Sequence, residues 1–181
     1  MKLKKIFSLS IIFTFLTIVG LQIIGGHLIT TSSPMGIVSF EFSTDLQNAQ
    51  QIVNSWGEKG KIYAGLDLGL DYLFIFLYTT TLISACYLII SKISSSNNII
   101  YSLSRLMIAG TVIAALLDCL ENFALIMLLT GQGTNNLAAL AAYCAAPKFI
   151  LVGIVIVFII ATTIFLKLSS AKNDTPLSPV D

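Results

Sequence analysis

Four stretches of the chain stay apolar long enough to cross a bilayer, at residues 6–26, 64–90, 106–129 and 149–168. About twenty apolar residues in helical form span the ~30 Å hydrocarbon core. Between the first two stretches lies a polar segment, 27–61, with a pattern of its own. Ile37-Val38-Ser39-Phe40-Glu41-Phe42 alternates weakly and is rich in β-forming residues, which predicts a short strand. Thr44-Asp45-Leu46-Gln47 fits a capping box, with Thr44 accepting at the helix start and Gln47 reaching back. Leu46, Ala49, Ile52, Val53 and Trp56 then recur at helical spacing, so an amphipathic helix should follow. Gly57 would cap its C-terminus and Glu58-Lys59-Gly60 would turn the chain. Trp56 is placed at the membrane–water interface. The helix either covers one end of a bundle or forms a lid over a polar site.

These elements predict an all-α membrane protein. Its expected architecture is an antiparallel four-helix transmembrane bundle with a small external strand–helix excursion between spans 1 and 2. Residues 1–168 would form a single membrane domain, and 169–181, with Pro176 and Pro179, a disordered cytoplasmic tail. Asn135-Asn136 should cap a short alanine-rich helix at 137–146, which Pro147 breaks or kinks before the fourth span. Gly65 and Gly69, four apart in the second span, offer a site of close helix approach, as do Gly110 and Ala114 in the third.

Composition agrees with the pattern. The 181 residues are 56% hydrophobic and 10% charged, with mean hydropathy +0.90. A soluble domain would carry about a quarter charged residues. The net charge of +1 supplies no basic patch, which argues against a nucleic-acid partner. Lys2, Lys4 and Lys5 before the first apolar run resemble a signal peptide. That run is long enough to span, however, and no small-x-small cleavage site follows it, so an uncleaved first span is expected. Cys86, Cys119 and Cys144 are too scattered to form a disulfide framework or a metal site.

With both termini inside, seven basic residues lie on the cytoplasmic side, against Lys59, Lys61 and Lys148 outside. The expected location is therefore a bacterial inner membrane, multi-pass, with both termini cytoplasmic. The bilayer is the first partner, and a homodimer or larger membrane complex the second.

Four acids and an amide interrupt the second and third spans: Asp67, Asp71, Asp118, Glu121 and Asn122. A charged acid near the centre of a spanning helix costs about 2.5–3.5 kcal/mol on insertion scales. Such residues face the bundle interior or a wet cavity and are functional by default. From the external ends of their helices, Asp71 lies roughly 10 Å down and Glu121 and Asn122 roughly 12–14 Å, so they match in depth. Asp118 lies deeper, at roughly 18 Å, and Asp67 near the surface. His27, Glu41, Trp56, Lys61 and Lys148 would ring the same end. The acids could share a proton, bind a cation, or pair with a base such as Lys148.

No Walker A loop, G-x-S-x-G elbow, H-E-x-x-H or C-x-x-C motif is present. With His27 the single histidine, histidine-rich metal sites and bis-histidine haem ligation within one chain are excluded. No cofactor is evident. A divalent cation such as Mg²⁺ or Ca²⁺ stays compatible with Asp67, Asp71, Asp118 and Glu121, because such ions take oxygen ligands. The leading expectation is an outward-opening acidic pocket that binds or transports a cation, a proton or an amine-bearing ligand. Two alternatives stand beside it. One is a membrane-embedded enzyme acting on a lipid or isoprenoid, and the other a structural subunit whose polar residues lock helices together.

The runs Gly36-Ile37-Val38-Ser39-Phe40-Glu41, Ala49-Gln50-Gln51-Ile52 with Trp56, and Leu70-Asp71-Tyr72-Leu73-Phe74 resemble a group of bacterial four-span membrane proteins without an established activity. Asp118-Cys119-Leu120-Glu121-Asn122 is similar to a D-x-x-E-N segment of the same group. The resemblance covers most of residues 34–130 and implies topology, not function. Sterol-isomerase-like and sigma-2-like four-helix proteins also keep acids inside a small bundle, by analogy only.

Overall fold

The computed structural model describes residues 2–93 and 98–173. These form α1 (Lys2–Gly25), a 3₁₀ turn (Gly26–Leu28), α2 (Ile37–Glu41), α3 (Leu46–Ile90), α4 (Asn98–Leu129) and α5 (Asn135–Asn173). Four helices are long and apolar enough to cross a membrane: α1 with its 3₁₀ turn, α3, α4 and α5. The lipid-solvated character shows in what each helix hides. In α1 the buried residues are Ser10 and Thr17, while Phe15, Leu16 and Ile23 are exposed. Hydroxyls turn inward, bonding to carbonyls of their own helix, and apolar side chains face outward.

The expected strand is a correction. Among the described residues there is no strand, and residues 37–41 form the short helix α2. A lone strand inside a bundle would have no sheet partner for its backbone groups, whereas a helical turn satisfies them internally. Gly36 starts this turn at φ 61°, ψ −128°, a region essentially reserved for glycine. A Cβ there would also sit 3.1 Å from the Gly25 carbonyl oxygen, so the excursion folds tightly back on the end of α1.

Two boundaries also move. The cap of α3 is Asp45, whose carboxylate accepts from the Asn48 N–H at 2.8 Å, one residue beyond the expected Thr44. Gly57 does end the amphipathic helix, as expected. At φ 61°, ψ −175° it is non-helical, and α3 is two helical segments joined across a kink at this residue. The second segment starts at once, where a turn over Glu58-Lys59-Gly60 was expected. The alanine-rich helix and the fourth span are one helix, α5, which runs through Pro147 and on to Asn173, past the expected end at 168. The Asn135 side chain accepts from the Leu46 N–H at 2.9 Å, so the starts of α3 and α5 are tied together. The tail beyond residue 173 lies outside the described residues.

Two apolar clusters hold the helices. One joins Leu28, Phe40, Ile52, Trp56, Leu68, Leu125 and Leu128 at the end where α2 sits. The other joins Ile75, Tyr78, Leu82, Cys86 and Val155 further along. The close approach of α1 to α3 is at Gly20, where a Cβ would meet Leu70 at 3.0 Å. Gly65 and Gly69 face open space instead. Packing runs α1 on α3, α3 on α4 and α4 on α5, with a lighter contact of α5 on α3. The short links between α3, α4 and α5 make these neighbours antiparallel. The pair α1 and α5 does not close the ring.

Candidate functional site

The polar residues of the spans lie between the two apolar clusters, and Lys148 is at their centre. Its ammonium is 2.7 Å from Asp118 Oδ1 and 2.8 Å from Glu121 Oε2. Tyr78 Oη donates to the other Asp118 oxygen at 3.1 Å. All four side chains are buried, Lys148 at 6% exposure and Glu121 at 0%. Beside them Asn122 donates to Asp71 Oδ2 at 2.6 Å. A fourth span starting at residue 149 puts Lys148 on the external rim. Helix α5 begins at Asn135 instead. Thirteen residues at 1.5 Å bring Lys148 roughly 20 Å down from that start, to the depth of Asp118.

Glu41 is also drawn in. Helix α2 delivers its side chain to the same cavity that Asp71, Asp118 and Lys148 line. Burial holds the Glu41 carboxyl above the usual carboxylate range; Lys148 pulls it down, Asp118 pushes it up, and a hydrogen bond with Glu121 lowers it. Glu41 Oε2 and Glu121 Oε1 are buried without a nitrogen or hydroxyl donor among the described residues. A proton on either carboxyl would supply the missing donor.

Asp67 differs from the rest. It is 4% exposed, lines the cavity, and its Oδ1 has no hydrogen-bond partner among the described residues. That oxygen would be 3.8 Å from a Cβ on Gly25, so it lies against the C-terminal end of α1. A helix C-terminus carries partial negative charge. An acid and a negative helix end together form a locus for positive charge.

The remaining rim residues fall elsewhere. His27 stacks on Tyr63 with centroids 4.2 Å apart, away from the cavity lining. Trp56 is not an interface residue. Its indole N–H lies 2.8 Å from the Leu28 carbonyl and 2.9 Å from Ser33 Oγ, and it meets Phe40 edge to face. Lys61 pairs with Glu58 on the surface at 2.9 Å. Tyr78, unforeseen as a site residue, sits seven residues after Asp71 on one helical face, and that spacing is the signal that could have found it.

The cavity has a volume of about 820 Å³, within the usual range for ligand pockets. Among the described residues no group of three or more His, Cys, Asp or Glu side chains is arranged to hold a metal ion. The expected oxygen cage of Asp67, Asp71, Asp118 and Glu121 is not assembled; Lys148 bridges Asp118 and Glu121 where a cation would sit. The group can hold a proton, pass one between carboxyls, and bind positive charge at Asp67, Asp71 and Glu41. No family model, no curated protein and no solved structure matches the chain.

Proposed function

We propose that the protein binds the cationic group of an amine-bearing ligand in this intramembrane acidic pocket. The observation that carries the reading is a surplus of acid. Glu41, Asp67, Asp71, Asp118 and Glu121 share one neighbourhood with a single ammonium, that of Lys148. Lys148 answers Asp118 and Glu121. The three acids that line the cavity without an ion pair, Glu41, Asp67 and Asp71, await protons or a cation. Lys148 organises them, and Asn122 orients Asp71. The reading places the protein in a bacterial inner membrane with both termini cytoplasmic, so the acidic end of the cavity lies toward the outside.

Calorimetric titration of the protein in phosphatidylcholine nanodiscs with butylamine tests it. Saturable binding should weaken about tenfold or more in Asp67→Asn and in Asp71→Asn, a loss of about 1.4 kcal/mol or more. Binding that both variants leave unchanged rejects the proposal.

A second reading, an enzyme acting on a lipid or isoprenoid, is favoured by one observation. Glu41, a carboxyl with a buried oxygen that lacks a hydrogen-bond partner among the described residues, lines a largely apolar cavity. Glu41 would then deliver the proton. Isomerised or cleaved isoprenoid in the nanodisc lipid, found by mass spectrometry and lost in Glu41→Gln, would select this reading.

A further inference from the structure

The acidic groups occupy only one end of the cavity. Beyond them the lining is Phe7, Ile11, Phe15 and Ile18 from α1, facing Val152, Ile156, Ile159 and Ile160 from α5, over Phe74, Leu82 and Ala85 of α3. The polar atoms in this stretch are cancelled. Thr14 and Thr81 hydroxyls lie 3.1 Å apart, and each is 2.8 Å from a carbonyl of its own helix. From Asp71 to Ala85 along α3 the trough runs roughly 21 Å, more than half of the ~30 Å hydrocarbon core. Its long walls are α1 and α5, which have at most slight contact with one another. Several wall side chains, Phe15, Ile156 and Ile160 among them, are more than 40% exposed while lining the cavity. The trough is therefore open to the bilayer along its side.

We infer that the ligand is a long-chain amphiphile with a cationic head, reached laterally from the bilayer between α1 and α5. Its ammonium sits among Asp67, Asp71 and Glu41, and its alkyl chain lies in the trough. Two independent features meet in this assignment. One is the Asp67 side chain, nine-tenths buried, lining the cavity and with one carboxylate oxygen lacking a hydrogen-bond partner among the described residues. The other is an apolar trough that a small hydrophilic amine would leave to lipid. The inference rests on the amine-binding reading above and adds the chain to it.

The probe is dodecylamine bearing a diazirine at its chain terminus, photolysed with the protein in phosphatidylcholine nanodiscs. Mass spectrometry should place the label on Phe7, Ile11, Val152 or Ile156, and unlabelled dodecylamine should displace it. Ile18→Trp and Ile156→Trp fill the trough from exposed wall positions, where folding is not at stake. Each should cut dodecylamine labelling by about fivefold or more while leaving butylamine binding as in the parent. Label scattered over the outer faces of α1 and α5, or labelling indifferent to both wall variants, overturns the chain assignment and leaves amine binding standing. Dodecanol displacing the label as well as dodecylamine does overturns the cationic head. Displacement by a membrane lipid extract in place of dodecylamine supports the assignment with a bilayer lipid as source. Displacement only by amphiphile added from solution supports it with a soluble source.

Discussion

Lys148 decides the electrostatics of the whole site. It bridges Asp118 and Glu121 with all three side chains buried, and removing one partner of a buried ion pair leaves uncompensated charge. Lys148→Met should therefore destabilise the bundle by about 3–5 kcal/mol, read as a lowered thermal midpoint in detergent. Combining it with Asp118→Asn and Glu121→Gln should recover most of the loss, because the neutral set has similar volume and no stranded charge. The acids were legible as intramembrane polar groups, and depth matching paired Asp71 with Asn122. Lys148 was legible as one possible partner of the acids, but its depth in the bundle was not. A lysine directly after a proline reads as a loop residue, since proline lacks the N–H that a helix interior needs. Only the twelve residues of helix that precede Pro147 show that Lys148 lies deep within α5.

At the scale of elements, the excursion 26–57 is a plug built from turns. Gly57 holds the amphipathic start of α3 at an angle to the span, with φ 61° and ψ −175°. A Cβ there would touch nothing within 4 Å, so the cost of Gly57→Ala comes from the backbone alone. That cost should be about 1–3 kcal/mol. Gly65→Ala, which also meets open space but in ordinary helix, should be neutral or slightly stabilising in the same melt. The four apolar runs were readable because a bilayer demands their length. The nature of residues 37–41 was not, because β-propensity reports fit to a sheet, and no sheet is present among the described residues. Glu41 was consequently placed on a rim, when a helical turn aims it inward.

At the scale of the molecule, the bundle is a row of helices that curls without closing. The first and last helices flank the opening, and α1 is held mainly through α3 and through the 3₁₀ turn at its end. That turn is gripped by the protein's single tryptophan: Trp56 is hydrogen-bonded to the Leu28 carbonyl at 2.8 Å. The indole is buried and does not line the cavity. If α1 swings to admit a guest, the strain reaches Leu28 and that bond. The emission of Trp56 should then shift when dodecylamine is added, and should stay still when Thr14→Cys and a cysteine at Val152 are crosslinked to tether α1 to α5 in a background freed of native cysteines. The molecule thus carries its own optical gauge, mounted at the hinge and out of the guest's way.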